Sequence, residues 1–203
     1  MNDLDLILQA AREAGELALA AREGGLKIWS KEGGSPVTDA DLAVDTLLKT
    51  ELGAERPGYG WLSEETVDDP ARLTTARQFV VDPIDGTAAF MKGKPWFAVS
   101  IAVVENGLPV AGVVHAPALN ETYAATVDGP ATLNGVIIEP SATQSLEGSA
   151  MLGDAKMFAH PAWREPWPDM RIESRNSIAY RMCLVAAGTF DAAIALSPKS
   201  EWD

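Results

Sequence analysis

The sequence has little cysteine and little histidine. Its one cysteine, Cys183, can form no disulfide within the chain and has no second thiol for a metal site, so we interpret it as a small buried apolar residue. The two histidines, His115 and His160, lie far apart without metal-ligand spacing, which favours structural roles. A metal site built on sulfur or imidazole is therefore not expected.

Positive charge is also scarce. The chain has 16 Lys and Arg against 29 Asp and Glu, a formal net charge of -13. This balance argues against binding a nucleic acid polymer through a basic face, and it disfavours anionic lipid surfaces. An acidic protein can still handle a small phosphate ester if divalent cations stand between its carboxylates and the substrate.

Long apolar runs are absent as well. Stretches such as residues 98–104 fall well short of the roughly 20 residues that cross a bilayer, and the acidic N-terminus does not resemble a secretory signal. We therefore expect no membrane partner and a cytoplasmic location. With 203 residues, of which 47% are hydrophobic, the chain can bury a core as one large domain or two small ones.

The apolar pattern predicts helices at both ends and strands between them. Steps of three and four residues predict a helix over 4–22, a second helix follows Thr38 and Asp39, and a third covers 178–186. Short apolar runs predict strands over 61–62, 79–81, 99–104, 110–114 and 192–196. Asn106-Gly107 predicts a hairpin that joins the strands 99–104 and 110–114. This order predicts an α+β (mixed α/β) fold.

Residues 140–169, rich in proline, are interpreted as the seam between two parts of the chain. We expect an N-terminal α+β domain over residues 1–140 that carries the metal and phosphate site. A C-terminal α/β portion covers residues 141–203.

A run of acidic residues follows one predicted strand. Pro83 holds Asp82 in extended geometry, and Asp85 lies three residues later, so the two carboxylates can converge in a tight turn. Such hard oxygen ligands suit magnesium, with the carbonyl of Ile84 as a further ligand. The alternative interpretation is ordinary turn chemistry, since Asp-Pro and Asp-Gly pairs are common in solvated turns.

Two further segments can join this site. Gly86 and Thr87 precede residues 88–91, which can begin a helix whose free N–H groups hold a phosphate. Ser63-Glu64-Glu65 follows another short strand and reaches the same sheet edge if the two strands are neighbours. Taken alone, these glutamates read as solvated surface, and Asp39 and Asp41 read as a helix cap and a first-turn acid.

Together the segments resemble the inositol monophosphatase superfamily, which includes inositol monophosphatases, 3'(2'),5'-bisphosphate nucleotidases and related sugar-phosphate phosphatases. The resemblance rests on five segments in the family's order, namely 36–41, 63–65, 82–87, 177–186 and 201–203. It implies a layered α-β-α-β-α sandwich. The sequence ends within the family's Trp-Asp motif, so we expect the C-terminal strands of the fold to be lacking and the C-terminal portion to be truncated.

The resemblance also implies a ligand set. Glu64, Asp82 and the Ile84 carbonyl would hold one magnesium ion, and Asp82, Asp85 and Asp203 a second. Two or three ions are expected, with inhibition by lithium at one of their positions.

Catalytic and substrate-binding roles follow from the same resemblance. Glu64 and Thr87, the latter supported by Asp41, would activate a metal-bound water for in-line attack. Gly86, Thr87 and Ser177 would bind the substrate.

The predicted function is magnesium-dependent hydrolysis of a small phosphate monoester, in a chain that can form a homodimer. Ala195 stands where inositol monophosphatases have an acid that contacts the inositol ring, and Lys199 can add positive charge, so 3'-phosphoadenosine 5'-phosphate is the favoured substrate. The alternatives are inositol 1-phosphate and other sugar or histidinol phosphates. A catalytically silent metal- or phosphate-binding protein is the alternative of another class.

Overall fold

The structure is a computed structural model that describes residues 1–31 and 34–202. Its helices are α1 (Asp3–Gly24), α2 (Asp39–Glu55), α3 (Thr87–Met91), α4 (Ala155–Phe158) and α5 (Ile178–Ala186). The three predicted helices are present, each within a few residues of its expected bounds.

Helix α1 begins and ends where its sequence provides caps. Asn2 accepts the Asp5 N–H at 2.8 Å, and Gly25 ends the helix in a positive-φ conformation (93°) that favours glycine. One face of the helix is apolar and buried against α2 and the central sheet, with Leu6, Ile7, Ala10, Ala11, Ala14 and Ala18.

The central sheet has seven strands in the order β3-β4-β5-β6-β7-β8-β9 within the described residues. Its strands are β3 (Gly60–Ser63), β4 (Arg77–Asp85), β5 (Ala98–Glu105), β6 (Leu108–Ala116), β7 (Glu121–Thr126), β8 (Thr132–Leu133) and β9 (Val136–Ile137). Strands β3 and β4 run parallel, and the later pairs are antiparallel. Asn106 and Gly107 join β5 to β6 with positive φ at both residues, as the hairpin signal predicts.

Two smaller sheets complete the described strands. An antiparallel pair, β1 (Ile28–Ser30) and β2 (Pro36–Thr38), precedes α2. A parallel sheet in the order β11-β10-β12 comprises β10 (Ala150–Leu152), β11 (Arg171–Glu173) and β12 (Ala192–Ala193). The predicted strand 192–196 is therefore shorter than expected, and Ala195 is exposed beyond its end.

The two faces of the central sheet bury different helices because side chains alternate along each strand. Val99 and Val113 pack with α1 and α2, whereas the neighbouring Ala98 and Val114 pack with α5 and Phe190. The three-stranded sheet lies beyond α5, since β12 also contacts that helix. These layers of helices and sheets confirm the predicted fold class.

The change from the central sheet to the three-stranded sheet falls between Ile137 and Ala150. A division after residue 140 is compatible with this change and stays a proposal.

None of the helices in the described part of the chain is long and apolar enough to cross a membrane.

Candidate active site

The site lies where β3 and β4 end side by side. In their parallel register Ser63 is paired with Val81, and the Glu64 N–H donates to the Val81 carbonyl at 3.2 Å. Glu64 therefore follows β3 level with Asp82 of β4. The expectation that the two acidic segments share a sheet edge is confirmed.

The sequence predicted that Asp82 and Asp85 lie in a tight turn after the strand, but both belong to β4 itself. The strand continues to Asp85, but its register against β5 shifts between Asp82 and Asp85, around Pro83, which has no N–H to donate to the ladder. Both carboxylates are buried, with 2% of Asp82 and 6% of Asp85 exposed. Asp82 Oδ1 accepts the Ile84 N–H at 3.1 Å.

Asp85 joins the central sheet to the start of α5. Its Oδ2 accepts the Ser177 hydroxyl at 2.5 Å and the Ala179 N–H at 2.7 Å. Ser177 is the N-cap of α5 and in turn accepts the Tyr180 N–H at 2.9 Å. Ser177 therefore donates its hydroxyl hydrogen bond to Asp85. This contact joins residues 92 positions apart, and the sequence did not predict it.

Thr87 contacts Asp41, which lies 46 positions earlier in the sequence. The Thr87 hydroxyl lies 3.2 Å from Asp41 Oδ1 and 3.1 Å from the Ile84 carbonyl. Asp41 Oδ2 accepts the backbone N–H of Thr38 at 2.8 Å and its hydroxyl at 2.6 Å, in a capping box at the start of α2. Burial raises the pKa of Asp41. Asp41 is thus both the N3 residue of the capping box, whose N-cap is Thr38, and the partner of Thr87.

Gly86 fills a position that tolerates no side chain. Its φ of 94° is in the left-handed region, and an added Cβ would lie 2.9 Å from the Trp96 carbonyl oxygen and 3.1 Å from the Ser177 nitrogen. Helix α3 begins directly after it, as expected. The glycine therefore allows β4, α3 and the start of α5 to meet closely.

The loop after β3 carries two contacts that the sequence analysis missed. Lys31 Nζ lies 2.9 Å from Glu64 Oε1 and 2.6 Å from Glu65 Oε1. Asp45 of α2 accepts the hydroxyls of Ser63 and Thr66, each at 2.5 Å. Asp45 follows Asp41 by one helical turn on the same face, a spacing that could have identified it. Nothing in the sequence marks Lys31.

The donor set of this edge fits a hard divalent cation. It consists of carboxylate and carbonyl oxygens, from Glu64, Asp82, Asp85 and Ile84, which are the ligands that magnesium prefers. Asp203 lies outside the described residues. Over residues 1–31 and 34–202 no three Asp, Glu, His or Cys side chains already converge on one cation position. Instead, Glu64 forms an ion pair with Lys31, and Asp85 accepts hydrogen bonds at the start of α5.

The other chemically active side chains have structural surroundings. His115 is buried, its Nδ1 lies 2.9 Å from Thr122 Oγ1, and burial lowers its pKa. His160 is exposed and accepts the Ala162 N–H. Burial raises the pKa of the Cys183 thiol to about 12.

Known proteins resemble the chain along nearly its whole length. The family model described as "Inositol monophosphatase family" matches residues 3–203. A histidinol-phosphatase of Mycobacterium tuberculosis is 38% identical over 100% of this chain and 81% of its own length. The 3'(2'),5'-bisphosphate nucleotidase CysQ of Escherichia coli K12 is 31% identical over 98% of this chain and 83% of its own.

Solved structures show the same fold. The extragenic suppressor protein suhB of Bartonella henselae superposes with a TM-score of 0.82 at 27% identity, covering 95% of this chain and 78% of that one. The Thermotoga maritima IMPase gives a TM-score of 0.81 at 30% identity, covering 94% and 74%.

Proposed function

The chain belongs to the inositol monophosphatase family, whose members are metal-dependent phosphomonoesterases, and we propose that the edge shared by β3 and β4 is the site of this hydrolysis. The observation that carries the proposal is the Glu64 N–H bond to the Val81 carbonyl, which sets Glu64 beside Asp82. Two acidic segments that are distant in the sequence thus supply one oxygen-rich edge. The predicted class of enzyme is confirmed by the family membership.

We assign the metal to Glu64, Asp82, Asp85 and the Ile84 carbonyl, with Asp203 as the further ligand that the resemblance implies. The family generally depends on magnesium, and we propose two or three ions here. When bound, magnesium supplies positive charge that offsets the phosphate and the leaving oxygen and lowers the pKa of water. Lithium is expected to inhibit, which a lithium titration at fixed magnesium tests.

The residues of the chain would orient the attacking water. Thr87 has a single hydroxyl proton, and donating it to Asp41 turns the oxygen's lone pairs toward an attacking water. Thr38 holds Asp41 by two hydrogen bonds, so this acceptor is fixed in place. Glu64 would orient the same water. Positioning of this kind supplies a large share of a hydrolase's rate.

Phosphate binding is assigned to Gly86 and Thr87. Gly86 can approach Trp96 and Ser177 closely only because it has no Cβ, and it stands directly before α3, where we expect the phosphate. Ser177 is retained as a substrate-binding residue, and its bond to Asp85 makes it a residue that positions Asp85 as well.

For the substrate we propose histidinol phosphate first. The Mycobacterium tuberculosis histidinol-phosphatase shares more of its residues with this chain than the Escherichia coli nucleotidase does. We therefore rank 3'-phosphoadenosine 5'-phosphate, the substrate favoured by the sequence, second.

A specific observation keeps the nucleotide as the second candidate. The Arg175 guanidinium lies 4.5 Å from the centre of the Trp96 ring, and Lys94 Nζ lies 5.9 Å from it. The backbone carbonyl of Trp96 adjoins Gly86, so both cations contact a residue next to the proposed phosphate loop, although Arg175 is also paired with Glu173 at 2.7 Å. We expect a second phosphate of the substrate to be attracted to this side of the loop.

The experiment is a comparison of kcat/KM for histidinol phosphate, 3'-phosphoadenosine 5'-phosphate and inositol 1-phosphate at one magnesium concentration. A ratio favouring the nucleotide reverses our order, and one favouring inositol 1-phosphate removes both candidates. No phosphate release from any of the three favours the catalytically silent binding protein. A homodimer and a cytoplasmic location stay predictions.

A further inference from the structure

Lys31 lies between two carboxylates of the proposed site. Its ammonium nitrogen is 2.6 Å from Glu65 Oε1 and 2.9 Å from Glu64 Oε1, and Glu64 is a proposed metal ligand. The Glu65 side chain is only 4% exposed, whereas those of Lys31 and Glu64 are 25% and 27% exposed. The ammonium group therefore neutralises a pair of acids of which one is nearly removed from water.

Further negative charge surrounds this pair. Glu64 and Asp41 both act electrostatically on Glu65. Two or more carboxylates at one sheet edge repel each other unless a cation is near. In the metal-free protein the cation at Glu64 and Glu65 is Lys31.

The glutamate side of this contact is held by buried side-chain bonds, whereas Lys31 is held by its backbone. Asp45, itself 7% exposed, accepts hydrogen bonds from Ser63 and Thr66, the residues on either side of the two glutamates. Lys31 follows β1, whose three residues are all exposed, and its backbone is hydrogen-bonded to Ser35 at 2.9 Å and to Gly34 at 3.0 Å. A lysine side chain is a flexible four-carbon stem, so its ammonium group can move away while the backbone stays in place. Lys31 is thus the partner that can leave.

We propose that Lys31 is a built-in competitor of the divalent cation, holding Glu64 in the metal-free protein and giving up Glu64 Oε1 when metal binds. Glu65 keeps the ammonium group near the site afterwards. The inference rests on the proposed function in one respect, that Glu64 is a metal ligand. It adds a residue that sets metal affinity.

The test is magnesium binding measured by titration calorimetry on Lys31→Met and Lys31→Gln. Losing the competing charge should lower the Kd for magnesium by about three- to tenfold, the size expected of one charge at a partly exposed site. Lys27→Met is the matched control, because it removes the same charge from an exposed position just before β1 and should change Kd by less than about twofold.

Stability without metal is the second readout. In EDTA both Lys31 variants should melt about 2–6 °C below the wild type, because Glu65 loses its partner. Saturating magnesium should reduce this difference in Tm between variant and wild type. An unchanged or higher Kd in both variants overturns the competition. A wild type that binds no magnesium at all overturns the metal site itself, so the two failures are distinguishable.

Discussion

Replacing Asp85 by Asn separates its contribution to the fold from its proposed contribution to the metal site. Asp85 is buried, and its Oδ2 accepts the Ser177 hydroxyl and the Ala179 N–H at the start of α5. Asn has nearly the same shape. Both bonds go to the same oxygen, so an Asn carbonyl in the place of Oδ2 can still accept the Ser177 hydroxyl and the Ala179 N–H, while the amide group takes the place of Oδ1.

What Asn removes is the negative charge. A carboxylate at a helix N-terminus contributes about 0.5–2 kcal/mol in a buried setting, and hydrogen bonds to charged groups exceed neutral ones by about 1 kcal/mol each. Relief from burying a charge offsets part of this sum. We therefore expect Asp85→Asn to lower the free energy of unfolding by about 1–3 kcal/mol, which for a chain of this size is about 3–10 °C in Tm.

The assay is thermal unfolding in EDTA, which keeps metal binding out of the comparison. Asp128→Asn is the matched control, since Asp128 is exposed, and it should melt within about 1 °C of the wild type. If Asp85→Asn also melted within about 1 °C of the wild type, its bonds to α5 would contribute nothing to stability, and the reasoning would be wrong.

Three further predictions concern single positions. Gly86→Ala should destabilise the protein by about 1–3 kcal/mol and abolish activity, since the alanine Cβ would lie 2.9 Å from the Trp96 carbonyl oxygen. A Tm equal to that of the wild type in thermal unfolding would contradict this. Thr87→Val should lower kcat at least about a hundredfold with little change in Tm, whereas Thr87→Ser should retain activity, because only the hydroxyl reaches Asp41. Burial raises the pKa of Asp3, but hydrogen bonds from arginine and tyrosine outweigh it and leave the pKa lowered, so the stability that Asp3 adds is present near neutral pH and is lost as pH falls through its folded-state pKa. The difference in unfolding free energy between the wild type and Asp3→Asn should therefore shrink below about pH 4, and a difference that stays constant with pH would refute this.

Local signals predicted the main helices and the hairpin because each depends on residues close in sequence. Asn106-Gly107 joins two neighbouring strands as expected, and Asn2 and Gly25, which cap α1, also act within a few positions of themselves. The strands of the three-stranded sheet were mostly missed. They are two or three residues long, too short for any alternation to stand out.

The candidate site was predictable in part for the same reason. The motif around Asp82 and its resemblance to a family identified the acids and Thr87. The bonds from Asp85 to Ser177, and from Lys31 to Glu64, join distant parts of the chain, and no local pattern encodes them. Asp45 is intermediate, because its helical spacing from Asp41 was visible but its partners were not.

The central claim is tested most directly by phosphate release from histidinol phosphate and 3'-phosphoadenosine 5'-phosphate, in magnesium and in EDTA, for the wild type and Asp82→Asn. The Asn carbonyl can keep the Ile84 N–H bond, so Asp82→Asn should melt in EDTA within about 2 °C of the wild type. The account predicts magnesium-dependent release by the wild type and a loss of several orders of magnitude in the variant. Equal release by both proteins, or release that persists in EDTA, would contradict it.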